Sequence, residues 1–138
     1  MPAEVKFDEN PRWKPLLDKA IERGLRKALL EVKNRVKTTA PVDKGNLKNN
    51  NYIEQKGFAG IVYNTMEYAP DVEYGTKPHV ILPKNKSYLA FKINGKWVRT
   101  KKVNHPGTKP QPFYRPALYN NTSLLLAKVN NEIRKLLK

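Results

Sequence analysis

The sequence predicts an α+β domain with a long N-terminal helix, an antiparallel β-sheet bearing a protruding basic hairpin, and a C-terminal helix. Apolar residues recur every three or four positions near both ends of the chain, as on one face of a helix. Between the ends, short segments alternate apolar and polar residues, and Asn94-Gly95 is the pair preferred in a two-residue hairpin turn. The chain of 138 residues has the length of one domain, so we expect a single domain over residues 1–138.

The first element is a helix over about 11–37. Asn10 can cap it, Pro11 suits its first turn, and Pro41 prevents its continuation. Residues 1–10 show no clear period and are interpreted as an arm or an edge strand. The helix has one apolar face, made by Leu17, Ile21, Gly24, Leu25, Ala28, Leu29, Val32 and Val36. Its other face is basic and carries Lys19, Arg23, Arg26, Lys27, Lys33 and Arg35.

The sheet and its turns are expected over about 47–112. Residues 40–47 are typical of a turn-rich linker, and the strand-like segments 52–55 and 58–64 predict a hairpin. Residues 68–76 predict one short helical turn, which Gly75 ends in the left-handed conformation. A short apolar run at Val80 to Leu82 follows, and a second turn is expected at His105 to Gly107.

The clearest hairpin is predicted over residues 88–102, because the Asn94-Gly95 turn fixes its register. One face is expected to pair Ile93 with Lys96, Phe91 with Val98 and Leu89 with Thr100. The other face is expected to pair Lys92 with Trp97, Ala90 with Arg99 and Tyr88 with Lys101. The second face has the composition of a surface that contacts phosphates and stacks bases. Trp97 covered by the stem of Lys92 on an outer sheet face is an equally ordinary structural interpretation.

The last element is a helix over about 116–138. Basic residues near its end, such as Arg134 and Lys135, suit the negative end of the helix dipole. Its apolar stripe consists of Ala117, Leu118, Leu125, Leu126, Val129, Ile133, Leu136 and Leu137.

The charge of the chain is concentrated rather than spread. The formal net charge is +15, and residues 76–112 contain nine Lys and Arg but no Asp or Glu. Such a segment favours a polyanionic partner or an acidic protein surface. A solvated face kept soluble by lysine explains the charge equally well.

Several kinds of chemistry find little support in the residues. Without cysteine there is no disulfide, thiolate metal site or cysteine nucleophile. The two histidines, His79 and His105, are expected to serve turns or surface hydrogen bonds rather than a metal. Asp71 and Glu73 point to different sides of a helical turn, which favours structural roles over acid–base catalysis. We therefore expect no enzyme activity and no cofactor; a small hydrolase or toxin lacks a candidate catalytic set.

The start of the chain lacks the apolar core of a signal peptide, and no run of eighteen apolar residues occurs. The expectation is a soluble protein that is made in the cytoplasm and does not associate with a membrane.

Three segments carry a resemblance to a known family. They are Ala40-Pro-Val-Asp-Lys-Gly-Asn-Leu47, Tyr68-Ala-Pro-Asp-Val-Glu-Tyr-Gly-Thr76 and His105-Pro-Gly-Thr-Lys-Pro-Gln-Pro-Phe-Tyr-Arg-Pro-Ala-Leu118. In order and spacing they resemble the neck and tail-completion proteins of tailed phages and prophages, also described as minor tail or head-tail joining proteins. The chain differs by Lys44 where threonine is usual, and by Tyr114 where leucine or methionine is usual.

The resemblance implies a non-enzymatic virion component at the head-to-tail connection, assembled as a six- or twelve-fold ring around the DNA channel. It implies contacts with a head-completion or adaptor protein and with a tail-tube or tail-terminator protein. The fold-defining positions it implies are Asp43, Gly45, Tyr68, Glu73, Gly75, Thr76, Pro112, Phe113 and Pro116.

In this interpretation the basic segment faces packaged DNA or the acidic rims of adjacent rings. The candidate contact residues are Lys84, Lys86, Lys92, Lys96, Trp97, Arg99, Lys101 and Lys102. The residues also leave an alternative open, a sequence-independent DNA-binding protein that acts as a monomer or dimer.

Overall fold

A computed structural model of the protein describes residues 12–42 and 45–137 and confirms the α+β class. The predicted arm or edge strand over residues 1–10, with Asn10 and Pro11, lies outside the described residues. The helices are α1 (Trp13–Thr39), α2 (Asn46–Asn49), α3 (Ala69–Tyr74), α4 (Tyr114–Tyr119) and α5 (Thr122–Arg134), followed by a 3₁₀ turn at Lys135–Leu137. The strands are β1 (Asn51–Lys56), β2 (Ala59–Asn64), β3 (His79–Ile81), β4 (Leu89–Ile93), β5 (Lys96–Thr100) and β6 (Val103–His105).

The chain divides into two compact units. Unit 1 combines the chain up to Met66 with the chain from Phe113 onward, and unit 2 is the segment Glu67–Pro112. Unit 1 therefore contains α1, α2, the β1–β2 hairpin, α4 and α5, while unit 2 contains α3 and four strands. That the 138 residues fold as one domain stays a prediction.

Helix α1 is the main scaffold of unit 1. It ends at Thr39, two residues later than predicted, and the Ala40 amide still donates to the Val36 carbonyl at 2.9 Å. Pro41 follows at once and allows no further turn, because its preceding residue is driven out of helical geometry. One stripe of the helix is buried, at Ala20, Gly24, Ala28, Leu29, Val32 and Val36.

Helix α5 packs closely along α1. A Cβ added to Gly24 would lie 2.5 Å from the Cα of Val129, so the two backbones approach each other at this glycine. The close approach needs a residue without a side chain at position 24. Any larger residue there must separate the two helices.

The single C-terminal helix predicted over 116–138 is wrong in one respect, because the structure divides it into α4 and α5. The interruption lies at Asn120 and Asn121. The Asn121 side chain donates to the Ala117 carbonyl at 3.0 Å, and Thr122 Oγ1 donates to the Tyr119 carbonyl at 3.2 Å. Such side chains compete for backbone partners and favour helix ends over helix interiors.

The first hairpin is confirmed, with β1 and β2 antiparallel and Gly57 at a φ of 58° in the turn. Gly60 lies against the side chain of Leu29, which brings this ribbon onto α1. The linker before it contains an unpredicted helical turn, α2, whose Leu47 is buried.

The prediction of one antiparallel sheet is wrong in its connectivity. The strands form three separate two-stranded ribbons, β1–β2, β3–β6 and β4–β5. Within unit 2, β3 pairs with β6 across the intervening hairpin, and His79 stands opposite His105. This pairing joins segments far apart in sequence, whereas the alternating patterns reveal only strands and their local turns.

Candidate nucleic-acid or partner interface

The β4–β5 hairpin has the predicted turn and five of the six predicted cross-strand pairs; the sixth, Tyr88 with Lys101, lies beyond the paired strands. Asn94 and Gly95 have φ angles of 50° and 80°, as the two central residues of a type I′ turn require. Since successive side chains point to opposite faces, this turn also sets which residues share a face. The cross-strand pairs are Leu89 with Thr100, Ala90 with Arg99, Phe91 with Val98, Lys92 with Trp97 and Ile93 with Lys96.

One face of this hairpin combines cations with aromatic rings. Lys92 Nζ lies 5.2 Å from the ring centroid of Trp97. Over the Tyr88 ring, Arg99 Cζ lies at 5.4 Å and Lys101 Nζ at 5.7 Å. These are cation–π distances. We call Tyr88, Lys92, Trp97, Arg99 and Lys101 the basic aromatic face.

The basic aromatic face is open to solvent. Trp97 is 69% exposed and Tyr88 is 43% exposed. Lys92 therefore stands over the indole without burying it, so the predicted covering of Trp97 by the lysine stem is only partial. Exposed rings edged by cations can stack on bases while the cations meet phosphates.

The other predicted contact residues do not join this face. Lys96 pairs with Ile93 on the opposite side of the hairpin, as its register predicted. Lys84 and Lys86 lie in the exposed bend before β4, and Lys102 follows β5, where its amide donates to Thr100 Oγ1 at 3.3 Å. The structure thus brings together three of the seven predicted cations, with Trp97.

The second and third family-like segments meet in unit 2. Thr76 and Thr108 exchange two backbone hydrogen bonds of 3.1 Å, and their hydroxyls lie 3.1 Å apart. Gln111 N–H donates to the Val72 carbonyl at 2.8 Å, which ties the same two segments a second time. We call this arrangement the threonine joint.

Two glycines make the threonine joint possible. Gly75 has φ 73° and ψ 173°, so it ends α3 with the predicted positive φ but in extended rather than left-handed helical geometry. A Cβ on Gly75 would lie 2.6 Å from the Thr108 carbonyl oxygen. Gly107 has a φ of 85°, and a Cβ there would meet the Thr76 carbonyl oxygen. Both positions require glycine for conformation and for space.

The remaining positions that the resemblance predicts to define the fold have varied surroundings. In unit 1, Phe113 is fully buried, and its carbonyl accepts a hydrogen bond from Thr39 Oγ1 at 3.1 Å. Gly45 has a φ of 79° at the start of α2, and Pro116 lies in the first turn of α4. Asp43 lies outside the described residues.

The other predicted positions, Tyr68, Glu73 and Pro112, belong to unit 2. Glu73 is buried, whereas Asp71 is exposed. The two carboxylates therefore point to different surroundings, which agrees with the prediction from the sequence. Tyr68 is partly exposed at the start of α3, and Pro112 is exposed.

Tyr114, which departs from the family pattern, has a specific partner. Its hydroxyl donates to Asn51 Oδ1, which also accepts a hydrogen bond of 2.9 Å from Asn64 Nδ2. Asn51 is buried, and its amide nitrogen donates to the Leu47 carbonyl at 3.1 Å. The link between Asn51 and Tyr114 joins segments that are distant in sequence, so the sequence does not reveal it.

Glu132 is an important residue that sequence reasoning missed. It is only 4% exposed, and its carboxylate accepts hydrogen bonds from Lys27 and, at 2.9 Å, from Lys135. Arg23 Nε lies 3.8 Å from its second oxygen. The hydrogen bonds from Lys27 and then Lys135 hold the pKa of Glu132 at about 2, and the bond to Glu132 raises the pKa of Lys27. One signal in the sequence could have identified it. Glu132 is the one acid among residues 113–138, and it stands beside Ile133 of the predicted apolar stripe.

The histidines serve the local backbone, as predicted. His79 Nδ1 donates to the Lys77 carbonyl at 2.7 Å, and His105 Nδ1 accepts from the Gly107 amide at 3.0 Å. Their rings stack with centroids 4.9 Å apart. Within residues 12–42 and 45–137, no group of three or more His, Asp or Glu side chains is placed to hold a metal ion.

Comparison with protein-family models, with curated proteins and with solved structures finds no match to this chain. Among the helices of the described ranges, none combines the length and apolar character needed to cross a membrane.

Proposed function

We propose that this chain is a structural, non-enzymatic virion protein of a tailed phage or prophage. It acts as a neck or tail-completion component that joins head and tail as a ring around the DNA channel. It is made in the host bacterial cytoplasm and ends in the virion, where it contacts further copies of itself, a head-completion or adaptor protein, and a tail-tube or tail-terminator protein.

The observation that carries the proposal is the threonine joint. The resemblance depends on segments that are separated in sequence, and a chance resemblance would give them no reason to meet. In the structure, the Gly-Thr of one segment and the Gly-Thr of the other lie together, at Gly75-Thr76 and Gly107-Thr108. This supports reading the segments as parts of one structural device.

The surface chemistry supports the same proposal. The basic aromatic face projects cations from a segment that has no carboxylate of its own. Packaged DNA and the acidic rim of a neighbouring ring both offer the missing negative charge. Closed cyclic symmetry then places the same face at every position around the channel.

The experiment is deletion of the gene in the phage or prophage that encodes it. Electron microscopy of the lysate should show DNA-filled heads and completed tails that remain separate, and a plasmid copy should restore joined particles. As a matched pair, a Gly107→Ala plasmid should fail to complement, while Gly57→Ala should complement, because a Cβ at Gly57 meets no atom within 4 Å. Joined, infectious particles in the deletion strain would reject the proposal.

A sequence-independent DNA-binding protein, acting as a monomer or dimer, is the second candidate. The exposed basic aromatic face is the observation that favours it. This function predicts duplex binding whose affinity falls steeply with salt and is lost when Lys92, Arg99, Lys101 and Lys102 are changed to glutamine. Binding that is absent at low ionic strength, or unaffected by these changes, would reject it.

A further inference from the structure

Helix α1 carries a line of cations on the side opposite its buried stripe. Lys19, Arg26, Lys33 and Lys37 follow one another at spacings of seven, seven and four residues. At about 3.6 residues per turn these positions share one face, roughly half a turn from the stripe that includes Ala28. From Lys19 to Lys37 the line is about 27 Å long, at about 1.5 Å per residue. We call these four residues the α1 cationic row.

In the part of the chain that the structure describes, the members of the row have no ion pair, whereas three other bases of α1 do. Of those three, Arg35 Nε lies 2.8 Å from Glu31, Lys27 bonds to Glu132, and Arg23 Nε lies 3.8 Å from Glu132. Within the described residues, no carboxylate lies within ion-pair distance of any member of the row. Glu22, three residues after Lys19 and four before Arg26, lines a shallow cleft with both of them.

We infer that the α1 cationic row is a second polyanion-binding surface, and that its ligand is the phosphodiester backbone of DNA. Successive members seven residues apart are about 10 Å apart along the helix, too far for two of them to share one carboxylate. An acidic protein would need carboxylates at matching intervals. Duplex DNA carries one charge per about 1.7 Å of its axis, so each cation finds a phosphate at any register.

The other features of this face suit the same ligand. Leu30 lies on the row between Arg26 and Lys33 and is partly exposed, so it offers an apolar contact for sugar groups between the phosphate-binding cations. The Gln55 side-chain amide donates to the Glu22 carbonyl at 2.9 Å, and this hydrogen bond holds the β1–β2 turn beside the row. The surface is thus made entirely by unit 1, and the inference does not depend on the proposed function or on the basic aromatic face.

The test is fluorescence anisotropy of a labelled mixed-sequence duplex, titrated with the full chain between about 50 and 200 mM NaCl. The variant Lys19→Gln, Arg26→Gln, Lys33→Gln, Lys37→Gln should lower the slope of log affinity against log salt by about 2 to 4, since each lost phosphate contact removes about 0.9. A control removes three lysines and one arginine elsewhere in unit 1, namely Lys14, Lys48, Lys56 and Arg134. It should change the slope by less than about 1.

The result that overturns the inference is an equal change in both variants, or no change in either, because the row would then act only through net charge. Two double variants serve if the fourfold variant folds poorly. Each should give about half of the effect, one with Lys19→Gln and Arg26→Gln, the other with Lys33→Gln and Lys37→Gln. Binding of poly-L-glutamate in place of the duplex, with the same dependence on the row, would also overturn it. Failure of the gene deletion to separate heads from tails would reject the proposed function and leave these slopes untouched.

Discussion

The buried Glu132 site of unit 1 and the β4–β5 hairpin of unit 2 use charge in opposite ways. In unit 1 a buried carboxylate, Glu132, gathers Lys27, Lys135 and Arg23 where α1 packs against α5. In unit 2 the residues from 76 to 112 include no carboxylate, and the hairpin cations lie over Trp97 and Tyr88. The first arrangement uses charge inside the fold, whereas the second leaves charge available to a partner.

The two units also differ in the interactions that stabilise each of them internally. Unit 1 is fastened by buried side chains such as Phe113 and Val36. In unit 2, the β3–β6 pairing and the threonine joint depend on backbone hydrogen bonds and on glycines with positive φ. Core substitutions should therefore damage unit 1 most, and backbone substitutions should damage unit 2 most.

The largest effect is expected from Phe113→Ala. Emptying a fully buried aromatic site should lower the free energy of unfolding of unit 1 by about 3–5 kcal/mol, because the cavity cannot close completely. This loss of stability is measured by urea titration, with the amide signals of unit 1 followed by NMR. Tyr119→Ala, at an exposed site, should stay within about 0.5 kcal/mol. A loss below about 1 kcal/mol for Phe113→Ala would contradict the division between the units.

Gly75→Ala comes next and should affect unit 2. Positive φ and a close Thr108 carbonyl act together, so we expect a loss of about 2–3 kcal/mol with disappearance of the β3–β6 amide protection. Gly95→Ala is the matched control, since Gly95 has a similar φ but no atom near its Cβ position. It should lose only about 1 kcal/mol. Equal losses would show that the threonine joint imposes no steric demand.

A smaller effect is expected from acid, and it should be confined to unit 1. The pKa of Glu132 is lowered from its ordinary 4.5 to about 2, so its ionised form stabilises the fold above pH 4.5. That stabilisation should be lost as the pH falls from about 4.5 to about 2. Glu132→Gln should unfold more readily at neutral pH and show a flatter dependence on pH. The effect should be smaller than that of Phe113→Ala because water screens the exposed bases around Glu132.

The control is Glu22→Gln at an exposed site of α1, the helix that carries Lys27, and it should keep the acid sensitivity of the unmodified protein. If Glu132→Gln and the unmodified protein lose stability in parallel between pH 4.5 and pH 2, the role of this carboxylate is contradicted.

The smallest effect on stability is expected from Trp97→Ala, within about 0.5 kcal/mol, since the indole is largely exposed. Single-stranded DNA binding should nevertheless weaken by about 1–3 kcal/mol, the contribution of one base stacked on an aromatic ring. Trp97→Phe should restore most of it. Unchanged binding, or a large loss of stability, would move Trp97 from the partner surface into the fold.

The sequence predicted what depends on neighbouring residues. The Asn94-Gly95 pair specified the hairpin turn and, through strand alternation, the whole basic aromatic face. The apolar spacing specified α1 and its buried stripe, because a helix repeats itself over a few residues.

What the sequence did not predict depends on distant residues or on competing local bonds. The β3–β6 pairing and the Tyr114–Asn51 hydrogen bond connect segments with no common pattern. The break between α4 and α5 arises from Asn121 and Thr122 bonding to backbone carbonyls, which apolar spacing alone cannot reveal. Likewise, Glu132 acquires its importance only when α5 lies against α1.

The most direct measurement of the proposed function is quantitative mass spectrometry of particles purified from the phage or prophage that encodes the chain. If the chain joins head and tail as a ring, particles containing portal and tail-tube proteins should carry it at a fixed six or twelve copies each. Particles with both of those proteins but without this chain would contradict the account.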